Sequence, residues 1–317
     1  ARPGTAGAVA LAARGGLGTR ADAGLNTYRA HAKVNLGLAV IALRGDGYHE
    51  LETVMARVGL ADELRIRVAE TGGAGSDAVR LTVDVAPGLP GAGALGPAED
   101  NLASRAAETY LRERRAADAG APRVGVDLHL AKRIPVAAGL GGGSADAGAV
   151  LLALAELLPA GVDVAAVARS LGSDVPFLTT TAPAALARGR GERLAAVEVP
   201  RLHLVLANPG GQVSAAEAYA NLVGFTPRLR FDKAVANLAA GAEPGWPNGL
   251  QPGVLRLLPG VRAVLGALRE AGLKGALLSG SGPTCFGVAR DAEHAGSVAA
   301  ALAAARPDWW VMADRTA

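Results

Sequence analysis

A single cysteine, Cys285, stands in a chain of 317 residues. One thiol excludes an internal disulfide framework and matches a reducing compartment, so a cytoplasmic location is expected. Aromatics are almost as scarce, at 3%, and no basic run is interleaved with them, which removes the stacking platforms of nucleic-acid binders. A net charge of +3 is too diffuse to hold a polyphosphate backbone, so nucleic acid is not an expected partner. No apolar run is long enough to cross a bilayer, and no membrane partner is expected either. The histidines His31, His49, His129, His203 and His294 are scattered, without i, i+4 pairing or cysteine neighbours; that spacing excludes a zinc site built by the protein. Lysine is rare as well. Lys33, Lys132, Lys233 and Lys274 are the only ones, which makes the place of each worth following.

Hydrophobic residues make up half of the chain, enough for two ordinary domains. Residues 1–27 are rich in Gly and Ala and show no sustained period, and they read as a disordered leader. From Tyr28 the pattern sharpens into a strand with Val34, Leu36 and Leu38 on one face, the turn "RGDGYHE", and a second strand ending at Leu64, Ile66 and Val68. A loop is expected over roughly 70–99, then an amphipathic helix capped by Asp100 or Asn101, then a strand with Val124, Val126, Leu128 and Leu130 facing inward. Two helices follow, the second stopped by Gly172 at its C′ position. The charged, turn-rich "ARGRGERL" marks the expected boundary between domains at 28–188 and 189–317. Beyond it come a strand, a helical stretch near 215–240, a helix, two short strands, a helix and a last strand. Helices segregated from antiparallel strands give an α+β class.

The densest signal is "PVAAGLGGGSA", residues Pro135, Val136, Ala137, Ala138, Gly139, Leu140, Gly141, Gly142, Gly143, Ser144 and Ala145. A Walker loop needs Gly-Lys-Ser/Thr, and no lysine lies between Lys132 and Lys233. The dinucleotide spacing Gly-x-Gly-x-x-Gly fails at Ser144. What remains is a wide loop around a triphosphate, with free amides at a helix N-terminus facing the anion. Glycine there permits left-handed angles and a close approach of phosphate oxygens. Ser144 stands where a hydroxyl would cap the helix, touch a phosphate or ligate Mg²⁺. On the residues alone, Asp174 before Pro176 reads as a cap or turn residue, and Lys33 as one on the solvated face of a strand.

"PVAAGLGGGSADA" resembles the second motif of the GHMP small-molecule kinases. "HAKVNLGL" resembles their first motif, and "SGSGPTCFG" their C-terminal glycine motif, with Gly280, Ser281 and Gly282 bordering the active centre. Within that superfamily, "AKVNLGLAVIALRGDGYHELETVM", "LGSDVPF" and "ARGRGERL" are similar to the 4-diphosphocytidyl-2-C-methyl-D-erythritol kinase family of isoprenoid precursor biosynthesis. The resemblance runs from about residue 28 to the C-terminus. It implies a two-domain fold, with an N-terminal domain like ribosomal S5 domain 2 and a ferredoxin-like C-terminal domain. It implies an ATP-dependent kinase acting with Mg²⁺ on the 2-hydroxyl of a cytidine diphosphate sugar alcohol, as a monomer or homodimer. Lys33 and Asp174 match the catalytic lysine and aspartate, and residues 135–145 the ATP loop. Tyr48 and His49 match the place that takes the cytosine, Tyr219 is a second stacking partner, and Asn35 is positioned to fix a substrate hydroxyl. Cys285 reads as a buried strand residue and not a nucleophile. In "WPNGLQPGV", Gly249 and Gln251 depart from the family pattern. Alternative readings are a homoserine- or mevalonate-type kinase of the same superfamily, and a nucleotide-binding sensor without catalysis.

Overall fold

Two long aliphatic runs joined by a polar turn dominate the first half of the chain, and the computed structural model, which describes residues 18–20, 25–71 and 76–317, folds them as a hairpin. A short strand β1 (Gly18–Arg20) pairs with the start of β2 (Asn26–Leu43), and β3 (His49–Glu70) returns antiparallel to β2. Of the expected leader, 1–17 and 21–24 lie outside the described residues, while Gly18–Arg20 is a strand. Asp46 closes the hairpin by accepting the Tyr48 amide at 3.1 Å, and Gly47 supplies the positive φ the turn requires.

The stretch expected as a loop at 70–99 carries a strand, β4 (Ala78–Val85), which runs parallel to β5 (Val124–Lys132). Its sequence alternates, but one side stays exposed at the sheet edge, so the apolar signal is weak. Between the two lies α1 (Leu102–Ala117), capped by Asn101 and not Asp100, its side chain accepting from the Ala103 amide. After β5 come α2 (Gly142–Leu157), α3 (Val164–Leu171) and the single turn α4 (Val175–Leu178). Gly172 ends α3 as its C-cap in an extended conformation, not as a left-handed C′ residue. β6 (Ala184–Gly189) and β7 (Arg193–Ala196) then form a second hairpin.

Among the described residues, these strands form one seven-stranded sheet in the order β1-β2-β3-β5-β4, with β6 on β3 and β7 on β6. "ARGRGERL" is therefore a hairpin of this sheet and no linker, and the passage to the second unit follows Ala196 instead of residue 188. Charge and turn chemistry mark both a linker and a hairpin tip, and only the pairing separates them. Helices α1 and α2 cover one face, with the Tyr110 hydroxyl donating to the Leu158 carbonyl at 2.8 Å.

The second unit contains β8 (His203–Asn208), α5 (Ala215–Ala220), α6 (Phe231–Ala239), α7 (Gln251–Leu257), α8 (Gly260–Glu270), β9 (Lys274–Leu278), β10 (Cys285–Ala289), α9 (Ala292–Ala305) and β11 (Trp310–Arg315). The helical stretch expected near 215–240 is two short helices. Gly224 and Pro227 interrupt it, and Thr226 ties the intervening loop to Val40 of β2. The antiparallel order β11-β8-β10-β9 with α8 and α9 packed on it is the ferredoxin-like arrangement.

One irregularity in the long hairpin positions the site. His31 pairs with Ala61 and Lys33 with Arg57, so Ala32 alone faces residues 58–60 of β3. The amides of Gly59 and Leu60 leave the ladder and donate instead to the Asp314 carboxylate of β11, at 3.0 and 2.8 Å. Such a bulge re-aims the residues beside it. Burial pushes the Asp314 carboxyl upward, against the three amides that favour its ionised form. Asp314→Ala strands the part-buried amides of Gly59 and Leu60, the Arg315 amide being open to water, and its unfolding free energy in urea titration should fall by about 2 kcal/mol; parental stability would show that water serves all three amides.

Candidate active site

Burial along β2 alternates from Tyr28 to Ala32 and then becomes continuous from Ala32 to Val40. Two units close on this stretch from opposite sides. Lys33, 3% exposed, is held between them. Its ammonium donates to Asn35 Oδ1 at 2.7 Å and to the Gly139 carbonyl at 3.1 Å, and lies 3.2 Å from Asp174 Oδ2. All three directions of the ammonium are thereby set. Asp174 is the N-cap of α4, yet its side chain caps nothing; it points at Lys33 and stays about one-third exposed. The solvated lysine and capping aspartate read from local sequence are a buried cation and an uncapped carboxylate, because tertiary contacts decide both.

Behind the lysine, Asn35 Nδ2 donates to Thr53 Oγ1 at 2.9 Å, and Thr53 donates to the Gly37 carbonyl at 2.7 Å. The Ser279 hydroxyl bridges the two units, donating to the Gly139 carbonyl at 2.9 Å and accepting from the Asn35 amide at 3.3 Å. Asn35 therefore serves the lysine with its oxygen and Thr53 with its nitrogen. Thr53 lies in β3 and Ser279 just beyond β9, both inside the motif segments quoted above, where nothing in the local pattern singles them out.

The glycine loop makes room for neighbouring groups. A Cβ on Gly139 would lie 2.0 Å from the Ser279 carbonyl, and one on Gly141 would lie 3.0 Å from the Lys33 side chain. Both have positive φ, at 77° and 69°. The helix begins at Gly142 with Gly141 as its N-cap, so Ser144 sits in the first turn and not at the cap. The amides of 142–144 open that turn without intrahelical acceptors. Ala137 also has a positive φ of 51°, a conformation rare outside glycine.

One cleft of about 560 Å³ gathers Lys33, Asn35, Tyr48, His49, Gly139, Gly141, Ser144, Asp174, Tyr219, Gly280 and Ser281. The His49 and Tyr219 rings stack at 4.9 Å with 16° between their planes, and the Arg190 guanidinium covers the half-exposed Tyr48 ring at 3.9 Å. Burial, with Asp174 nearby, pushes the Tyr219 phenol upward, which keeps it neutral. Arg190 was not singled out by sequence reading, and only its place in the hairpin tip brings it to Tyr48.

A second hollow, of about 270 Å³, is lined by Asn101, Lys132, Pro135, Val136, Ala137, Gly142 and Gly143 among others. The remaining residues expected at the site point elsewhere. Ala138 and Leu140 are buried in the core, Ala145 faces the far side of α2, and the Gly282 amide closes a turn onto the Ser279 carbonyl. Cys285 is buried in β10, where burial pushes its thiol upward, away from nucleophilic range. Gln251 accepts the Leu278 amide at 3.0 Å, and Asn248 donates to the Leu278 and Gly280 carbonyls at 2.8 Å each, so this departing segment braces the C-terminal glycine turn.

The chain is similar to known proteins over most of its length. Residues 101–181 match the GHMP kinases N terminal domain, and residues 231–308 match GHMP kinases C terminal. The 4-diphosphocytidyl-2-C-methyl-D-erythritol kinase of Deinococcus radiodurans is 47% identical over 292 residues, covering 90% of this chain and 91% of its own length. That of Thermus thermophilus is 44% identical, covering 88% and 94%. This chain belongs to the 4-diphosphocytidyl-2-C-methyl-D-erythritol kinase family. A solved 4-(cytidine 5'-diphospho)-2C-methyl-D-erythritol kinase structure aligns with a TM-score of 0.76 at 40% identity, over 91% of this chain and 98% of that one. Homoserine kinase from Cytophaga hutchinsonii, at 21% identity and a TM-score of 0.59, shares the fold.

Under the glycine loop of this GHMP kinase, Lys132 meets two buried carboxylates, Asp62 and, at 2.6 Å, Asp146. Asp62 also accepts the amides of Arg133 and Ile134, which fastens the loop's entry. Burial alone would lower the Lys132 ammonium, but the Asp146 and Asp62 charges raise it, so it stays protonated. One ammonium cannot neutralise both acids. Asp146, whose Oδ1 has no partner among the described residues, is pushed up to about 7 by burial, against the pull of Lys132. A carboxyl raised in the folded state stabilises the fold while protonated, fully so below its ordinary value near 3.8, and that contribution is lost as pH rises through about 7. Asp146→Asn should therefore gain on the parent by about 2 kcal/mol between pH 4 and 8 in urea titrations; a difference that does not change with pH would show Asp146 ionised throughout.

Proposed function

We propose that the chain transfers the terminal phosphoryl group of ATP to the 2-hydroxyl of 4-diphosphocytidyl-2-C-methyl-D-erythritol, releasing ADP. The observation that carries this reading is the Lys33–Asp174 pair, placed where the free amides of α2 meet a cleft walled by Tyr48, His49, Tyr219 and Arg190. The amides of 142–144 and the partial positive charge of the helix end hold phosphate oxygens. Asp174 accepts the proton of the acceptor hydroxyl as its oxygen bonds to phosphorus and the bond to ADP breaks. Lys33 offsets the negative charge that builds on the transferring group and keeps Asp174 in line. Phosphoryl transfer asks little more of the protein than this positioning.

The Ser144 hydroxyl lines the cleft, makes no hydrogen bond to the protein among the described residues, and fits one ligand position on Mg²⁺. Nucleotide phosphates would supply the others, and the ion would neutralise phosphate charge. No group of three or more metal-binding side chains occurs among the described residues that would hold a cation independently of the nucleotide. At the other end, a stacked His49–Tyr219 pair and the open edge of Tyr48 offer ring faces and hydrogen-bonding nitrogens to a cytosine. Homoserine or mevalonate, having no ring, would leave all three residues without a role. Among the described residues no helix is long and apolar enough to cross a membrane.

The test is ADP release by the purified protein with ATP and Mg²⁺, with the diphosphocytidyl substrate, homoserine, mevalonate or galactose in separate wells. Release with the first alone is expected. Release with another acceptor would retain the kinase and discard the cytosine site, and silence in every well with ATP still bound would favour the sensor. Asp174→Asn and Lys33→Met should each lower kcat about 1,000-fold while ATP binding survives; near-parental turnover of either variant removes that residue from the mechanism.

A further inference from the structure

Asp174 sits at the start of α4, a helix of one turn, and one turn does not hold itself in water. Its position has to be imposed from outside. At the N-terminal end Lys33 does this by pairing with Asp174. At the C-terminal end stands Arg57, the cross-strand partner of Lys33 in the β2–β3 hairpin. Its Nη2 donates to the carbonyls of Phe177 at 2.9 Å and Thr180 at 2.8 Å, and its Nε donates to that of Ala182 at 3.1 Å. The guanidinium also covers the Phe177 ring at 5.0 Å, and the Arg57 amide donates to the Pro183 carbonyl at 2.8 Å. The register break at residues 58–60, braced by Asp314, is what sets Arg57 opposite Lys33.

Among the described residues no carboxylate lies within ion-pair distance of Arg57. A part-buried cation served only by carbonyls is still costly to keep, and desolvation lowers this guanidinium to about 10. A neutral donor would satisfy a helix end at less expense. Only a planar fork with donors on two sides reaches the three carbonyls of 177, 180 and 182 together.

We propose that Arg57 is a positioning residue for phosphoryl transfer: it grips the C-terminal end of the α4 turn and thereby holds the Asp174 carboxylate in line with Lys33 and the acceptor hydroxyl. The two cations hold opposite ends of one turn, and β2–β3 pairing fixes the distance between them. This rests on the reading of Asp174 as the base, and the experiment separates the two.

Steady-state kinetics of Arg57→Ala should show kcat lowered about 10- to 100-fold, as expected when a reacting group drifts by an ångström, with both KM values within about threefold of the parent. Because Arg57 borders a cavity lined by Tyr28, His31, Thr180 and Thr181, methylguanidinium should restore part of that kcat where methylammonium does not. On an Asp174→Asn background the Arg57 change should cost nothing further. An equal loss on both backgrounds, or a parental kcat in Arg57→Ala, overturns the proposal. If Arg57→Ala does not fold, Arg57→Lys, which keeps the charge and loses the fork, carries the test, and a parental kcat there overturns it too. Parental turnover in Asp174→Asn alone would instead sink the base assignment.

Discussion

A buried ammonium governs the arrangement of this kinase. Lys33 is tied to a side chain on its own strand, to a carbonyl of the glycine loop and to the carboxylate ahead of α4. Removing such a charge from water is tolerable only if its directions are filled, so three separate segments must arrive within ångströms of one atom. Asn35, Thr53 and Ser279 extend that requirement outward, until the hydrogen-bond chain from the lysine crosses into the second unit. The geometry around Lys33 and the fit between the two units are thus a single constraint.

The glycine loop illustrates the economy of this arrangement. Read as sequence, its glycines invite a phosphate to approach. In the fold, Gly139 yields to the Ser279 carbonyl and Gly141 to the lysine stem, while the opening residues of α2 keep their amides free. One loop therefore keeps free amides on its outer side and meets the other half of the enzyme from behind. Its entry is fastened by Asp62, and Lys132 lies under its floor.

Periodicity and turn chemistry made much of the fold legible: the long hairpin, α1 and α2, and the closing α+β unit all follow from them. β4 escaped because an edge strand with one wet face, set among Gly, Ala and Pro, hardly differs from a loop in composition. The second boundary escaped because a charged hairpin tip looks like a linker. In the site, Lys33, Asn35, Tyr48, His49, Ser144, Asp174 and Tyr219 line one cleft, while Ala138 and Leu140 of the glycine run are buried in the core. Thr53, Ser279 and Arg190 lie inside the resembling segments without standing out there, and Arg57 lies outside them, since their contacts come from strand register and from approach across long stretches of chain. Lys132 left a trace only as a rare residue type.

The double burial of β2 between Ala32 and Val40 bears on how the molecule comes apart. A strand that belongs to two hydrophobic cores cannot be exposed on one side without wetting polar groups prepared for the other. The halves are then not separable modules on a hinge but one cooperative foldon, whose slowest-exchanging amides should run along β2. Excising either half would leave a face of that strand bare, with the ammonium at its centre in water.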